Sequence, residues 1–231
     1  MRHPLLALPL VLAVSACGLP KDPGGTLTRV EGGVLRVGLE ENAPWVRLAG
    51  AAPGGVEPAL VRALARALDA RVQWTAAPEA RLMEGLKARE LDLVVAGVDA
   101  RSPWAKSLGV SLPYASDKTV VAFRPGMAPR KEARGLSVAA RPGEPAAAKL
   151  RKQGALVVDA EDPLAVTADA VVLERQEALA RGLQPGPQTL GRRKHVLVVP
   201  PGENAWLLRV DRFIHARKPG IPGLLAQKAP S

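Results

Sequence analysis

Residues Leu82–Tyr114 read LMEGLKARELDLVVAGVDARSPWAKSLGVSLPY. Leu82 and Leu86 fall on one side of a helix expected over Glu79–Ala88. Leu91–Ala96 follows as a near-continuous apolar run. A strand that does not alternate is one buried on both faces, which is the situation of a parallel sheet covered by helices. The preceding residues supply the rest of such a unit. Val34–Val37 is a β-type run ending at Gly38, and Val72–Thr75 is another. Between them, Glu57–Ala70 places Leu60, Leu64 and Leu68 four apart, with Val61 and Ala65 beside them and Arg62, Arg66 and Asp69 facing away. That is an amphipathic helix, and Pro58 sits in its first turn, where a missing N–H costs nothing. Strand, helix, strand, helix, strand with short links predicts a parallel α/β unit.

The middle of the chain repeats the theme. Thr119–Phe123, Leu136–Ala139, Leu156–Val158 and Ala170–Leu173 are strand candidates, with a helix over Pro145–Lys152. They predict a second, smaller α/β lobe. His195–Val199 is a further β run, and Glu203–Ala216 is amphipathic through Leu207, Val210 and Ile214. Arg192, Arg193 and Lys194 read as a solvated turn.

Composition narrows the function. The 231 residues are 47% hydrophobic, 23% charged and 3% aromatic, with a formal charge of +10, which excludes disordered, collagen-like and multi-span membrane chains. One cysteine forbids an internal disulfide or a Cys-rich metal site. Three histidines leave little for a multi-His centre, so neither metal nor cofactor is implied. The start, MRHPLLALPLVLAVSAC, has a basic residue, an apolar run from Leu5 to Val14 and small residues before Cys17. It is too short for a permanent span and reads as a secretory signal over residues 1–16. Val-Ser-Ala-Cys resembles a bacterial lipobox, which implies cleavage before Cys17 and lipidation of it. Gly18 resembles the outer-membrane sorting pattern of Gram-negative lipoproteins; in another host the anchor would lie on the outer face of the cytoplasmic membrane. GLPKDPGGTLTR and its surroundings, residues 17–30, read as a tether. The basic charge favours anionic partners, and export argues against nucleic acid.

Several segments in order resemble the family 3 periplasmic solute-binding proteins, the polar amino acid receptors of ABC transporters. Leu35–Trp45, LRVGLEENAPW, is similar to the family's first strand and ligand loop, with Asn42 and Trp45 at its aromatic positions. Gly54–Leu68 is similar to its Gly-Phe-Asp helix start, with Glu57 at the acidic position. Leu82–Tyr114 is similar to the Leu-x-x-Gly-x-x-Asp segment, the Gly-Met-Ser-x-Thr-x-x-Arg loop and the closing Ser-x-Pro-Tyr. DAVVLE, Asp169–Glu174, and Val196–Ile214 resemble the second-lobe strand and the return to the first lobe.

The resemblance implies an α/β, two-lobed fold of the type II periplasmic-binding-protein kind. It would have parallel-rich sheets flanked by helices, two hinge crossings and a small second lobe. The expected division is residues 31–117 and 196–226 for lobe 1 and 118–195 for lobe 2. The resemblance also implies a non-enzymatic receptor, expected as a monomer, that presents a small solute to an inner-membrane ABC permease. The family's carboxylate-binding Arg is replaced by Trp104, with Arg101 three residues before it, and Glu144 replaces a hydroxyl in the second-lobe loop. Asp99 stands at a Ser or Thr position, and Glu174 matches the acid that meets an α-amino group. These departures imply a cationic amine ligand held by Asp99, Glu144 and Glu174 and walled by Trp45 and Trp104. Between Leu156 and Asp169, where the family fits another helix, only AEDPLAVTA is available. The lost Arg and the thinned lobe keep open an accessory or sensor acting through another periplasmic protein, and the resemblance, which extends to dehydratases, keeps open a dehydratase on the same fold.

Overall fold

The computed structural model describes residues 21–221, apart from the side chain of Lys218; the signal segment and Cys17 lie outside the described residues. A short helix α1 (Thr26–Val30) leads into β1 (Val34–Leu39), α2 (Val56–Arg66), β2 (Arg71–Ala76), α3 (Glu79–Lys87), β3 (Leu93–Val95) and β4 (Gly109–Val110). The chain then builds β5 (Ala115–Phe123), β6 (Ser137–Ala140), α4 (Pro145–Lys152), β7 (Leu156–Asp159), β8 (Ala170–Glu174), α5 (Arg175–Ala180), β9 (Gln184–Pro185) and β10 (Gly191–His195). It returns through β11 (Val198–Val199) to α6 (Asn204–Arg217). Two sheets result, one ordered β2-β1-β3-β11-β4 and the other β10-β5-β8-β6-β7, with β9 pairing β5.

In lobe 1, β1 pairs parallel with both β2 and β3, and β11 runs antiparallel to β3. Leu35, Val37, Leu39, Leu93 and Val95 pack with Leu60, Val61 and Leu64 of α2 and Trp206, Val210 and Ile214 of α6. Each such aliphatic side chain, fully buried, contributes about 1.5–3 kcal/mol before entropy is subtracted. Val94 points the other way, to Leu82, Met83 and Leu86 of α3. Gly38 shares that face, and a Cβ there would run into the side chains of Leu82 and Leu91. The run read as buried on both sides is therefore sandwiched between helices, and all of β3 is buried.

The stretch expected as a tether through residue 30 is instead drawn into lobe 1 from Lys21 onward. Asp22 accepts from the backbone N–H groups of Leu27 and Trp206 (2.9 and 3.0 Å), and Glu203 accepts from Gly24 and Thr26 (2.7 and 3.1 Å). Val30 then joins the core.

Lobe 2 is mixed. β6 is parallel to β7 and β8, whereas β5 runs antiparallel to β8 and β10. One face packs Val121, Phe123, Val138 and Val172 against Ala146, Ala147 and Leu150 of α4. Glu144 caps that helix, its side chain accepting from Ala146 N–H at 3.4 Å, and Pro145 opens it. The opposite face packs Ala122, Val171 and Leu173 against Ala178 of α5 and Leu183. Edge strand β7 leaves Leu156 65% exposed and Val158 40% exposed.

The lobes join through β5 and β10, which pair from Ala115↔His195 to Thr119↔Gly191. Arg192–Lys194 thus form a strand where the sequence suggests a turn. The period of two along that strand points Arg193 and His195 inward and leaves Arg192 and Lys194 exposed.

Candidate functional site

Between the lobes lies an open cleft of about 530 Å³. Asp99, Arg101, Ser102 and Pro103 of lobe 1 form one wall, and Arg141–Pro145 of lobe 2, with Arg193 of the hinge, form the other. Its size falls in the range of small-molecule sites. Beneath it, a cavity of about 10 Å³ is bounded by Thr119, Glu144, Glu174, Glu177 and Arg193, room for roughly one water.

Each acid at the cleft meets a cation of the chain. Asp99 accepts from the Arg101 backbone N–H at 2.9 Å and from its guanidinium at 3.1 and 3.3 Å. Burial pushes the Asp99 pKa up, but the Arg101 bonds outweigh it and hold the carboxyl below its ordinary value. Arg101 also donates to Arg192 O at 3.1 Å, tying this loop to the hinge. On the other wall, Arg193 Nη2 donates to Glu144 Oε2 at 2.6 Å, and Arg193 Nε lies 3.7 Å from Glu174 Oε1.

Glu174 ends β8 and meets the hinge histidine, His195 Nε2, at 2.7 Å. His195 Nδ1 lies 3.2 Å from Gly97 O, which can only accept, so Nδ1 carries a hydrogen and Nε2 carries the titrating proton. Burial alone would depress the His195 pKa. The Glu174 bond and the nearby Glu57 charge outweigh it and raise the value above that of a free imidazole. His195 is fully buried, with Trp45 tilted over it at 3.8 Å between ring centroids.

The remaining expected ligand groups lie behind or beside the cleft. Glu57, fully buried at the start of α2, accepts from Tyr114 Oη at 2.6 Å and Gly97 N–H at 3.0 Å. Burial raises its pKa against both bonds. Asn42 donates to Ala96 O at 2.8 Å. It packs against Gly97, whose φ of 65° and lack of a Cβ let the backbone turn there. Trp45 stacks beneath the hinge with 1% exposure and meets Tyr114 edge-on at 5.9 Å. Trp104 packs toward α3, with Lys87 Nζ 4.9 Å from its ring centroid, and lines no part of the cleft. The structure thus gathers Asp99, Arg101 and Glu144 at the opening, Glu174 just below, and Trp45, Asn42 and Glu57 as a brace under His195. Sequence reasoning gave no site role to Arg193, Arg141, Tyr114 or His195. Alternation along β10 was the signal for Arg193 and His195.

Residues 35–219 match the model of the bacterial extracellular solute-binding proteins, family 3. The chain is a member of that family. Its solved relatives share the fold at low identity. The L-cystine solute receptor of Neisseria gonorrhoeae, in its unliganded open conformation, is 21% identical with a TM-score of 0.70, covering 88% of this chain and 95% of the receptor. The Ancestral Cationic Amino Acid Solute Binding Protein is 18% identical with a TM-score of 0.69, covering 90% and 99%. A mutant of ArgBP from T. maritima is 20% identical with a TM-score of 0.67, covering 88% and 98%. No curated protein sequence matches the chain. The chain is thus a family 3 extracellular solute-binding protein whose two lobes, joined by β5 and β10, leave a cleft between them. Among the described residues no cluster of His, Cys, Asp and Glu suits a metal ion, and no helix is long and apolar enough to cross a membrane.

Proposed function

We propose that this family 3 protein is a lipid-anchored receptor, held at Cys17. It captures a small polar solute bearing an amine and passes it to an ABC-type permease without chemical change. The observation that carries this reading is the meeting of Asp99 and Glu144, from opposite lobes, on one cleft of about 530 Å³, with Glu174 directly beneath. A cation between carboxylates of two lobes binds the closed arrangement better than the open one, and that difference in affinity is what drives closure. Two structural relatives are named for cationic amino acid or arginine binding, which fits a ligand of this charge.

The test is native mass spectrometry of the protein purified from its own host, followed by a thermal-shift panel of amines and amino acids. An adduct of cationic mass and charge, released on denaturation, is expected. A neutral or anionic adduct overturns the amine. A second reading, an accessory protein acting through a protein partner, is favoured by the internal cation already standing against each cleft acid. A clean apo mass with no shift from any solute would select it.

A further inference from the structure

Two of the three cleft acids are neutralised in a way that differs from the third. Asp99 pairs with Arg101, whose side chain is 71% exposed, and an ion pair so open to water is worth little and exchanges readily. Glu144 and Glu174 instead face one guanidinium, that of Arg193, whose side chain is only 30% exposed; it bonds Glu144 at 2.6 Å and stands 3.7 Å from Glu174, whose other oxygen meets His195 at 2.7 Å. Both carboxylates are nearly covered, with side-chain exposures of 10% and 9%. Two nearly covered carboxylates facing one point repel each other and are costly to strip of water unless a cation lies between them. Glu144 is further committed, because its other oxygen caps α4. Arg193 is held in place from behind as well. β10 is bonded along its length to β5, so the guanidinium is delivered by a strand and not by a loose loop. It borders the open cleft on one side and the water-sized cavity on the other.

We infer that Arg193 is a tethered internal cation filling the subsite made by Glu144 and Glu174, and that it sets specificity, because a solute cation enters lobe 2 only by displacing it. The inference rests on the amine reading above, since only for an amine is this displacement a step in capture. One charge-assisted pair replaces another, so the exchange turns on the competition between a tethered and a free cation. Simple monoamines lose that competition. A solute succeeds when it also engages the lobe 1 wall at Asp99, and the subsite thereby selects for molecules with a second point of attachment.

The test uses methylguanidinium and methylammonium as probes, with calorimetry on wild type, Arg193→Ala, and Arg193→Ala combined with Glu174→Gln. The expected result is saturable binding to Arg193→Ala about tenfold or more tighter than to wild type, lost again in the double variant. No gain in a folded Arg193→Ala protein overturns the inference. Should Arg193→Ala fail to fold, Arg193→Gln, which keeps most of the stem, takes its place.

A wild-type measurement needs no variant. The Arg193 Nη2–H, bonded to Glu144 at 2.6 Å, exchanges with solvent more slowly than the Arg101 Nη2–H, bonded to Asp99 at 3.1 Å on an exposed side chain, if the guanidinium is held as described, and equal rates overturn the inference. The two readings fail separately. Wild type that binds no solute amine, beside an Arg193→Ala protein that captures methylguanidinium, defeats the transport ligand and leaves Arg193 as the internal occupant. Wild type that binds an amine which Arg193→Ala binds no better defeats the inference alone.

Discussion

Lobe 1 packs Trp45, Trp206, Tyr114 and a row of leucines between its first sheet and helices α2 and α6, whereas lobe 2 packs Ala140, Ala155, Ala170 and three valines, with Phe123 its one aromatic, against Ala146, Ala147 and Leu150 of α4. Small side chains bury little area each, so lobe 2 gains less from water exclusion and relies on polar ties. Arg124 donates to the carbonyls of Leu164, Val166 and Ala168, which holds the short connection standing where another helix was expected. Asp169 accepts from Ser137 N–H and Oγ, and Asp117 accepts from Gln176 N–H at the start of α5. One lobe is a platform set by burial. The other is a light plate set by charges, and it carries most of the cleft's cations.

That contrast can be broken first in the cores. Trp206→Ala removes a fully buried ring whose Nε1 donates to Asp92 O at 2.7 Å, and should cost about 3–5 kcal/mol in urea denaturation. Leu150→Ala in lobe 2 should cost less, about 2–3 kcal/mol, and equal losses would mean that the two cores are equivalent. Next, Arg124→Met leaves three carbonyls without their donor. It should cost about 1–3 kcal/mol and speed hydrogen exchange across residues 160–168, while α2 stays protected.

The pH dependence sharpens the contrast from both ends. The raised His195 pKa means that its bond to Glu174 stabilises the hinge fully below about pH 6.5, the unfolded value, and is lost as pH rises through the folded value. Asp92, buried in lobe 1 with Arg29 and Arg36 on it, has a lowered pKa: burial pushes it up and the two arginines outweigh that. Its contribution is present above about pH 4 and is lost as pH falls through the folded value. Melting temperature against pH should therefore fall less steeply on the alkaline side in His195→Gln and less steeply on the acid side in Asp92→Asn, where Asp99, Asp169 and Glu203, also lowered, keep part of the decline. Smallest of all, Leu156→Thr and Val158→Thr on the bare edge of β7 should change stability by no more than about 0.5 kcal/mol, and a larger loss would show that this edge is covered in solution.

Local pattern carried the first lobe. The helical spacing of Leu60, Leu64 and Leu68 and the unbroken run through Val95 give α2 and β3, because burial on one stripe or on two faces leaves a period in the chain. The bounds of α4 follow from Pro145 at its start and the glycine at 154 after it. Short elements stayed hidden. α1 exists because Asp22 and Glu203 hold it, and α5 is six residues following directly on β8. β10 was misread because Gly-Arg-Arg-Lys-His has the composition of a surface turn. Its inward residues are tolerable only beside Glu144 and Glu174, which are distant in sequence. The acids of the cleft were legible one by one, at Asp99, Glu144 and Glu174. Arg101, two residues from Asp99, was legible as well; the partner of Glu144 was not, since a pair separated by 49 positions leaves no local period.

The clasp between Asp22, Glu203 and the start of α6 bears on geography. Lys21 O accepts from Asn204 N–H, so the chain is fastened to lobe 1 from residue 21 onward. If Cys17 carries the lipid, only four peptide steps remain between bilayer and protein, a reach of about 14 Å at full stretch. On so short a leash lobe 1 would ride against the headgroups and leave lobe 2 the freedom to swing. An anchor that short would not let the receptor span from one membrane to another, so the outer-membrane pattern at Gly18 and an inner-membrane permease as partner would exclude each other.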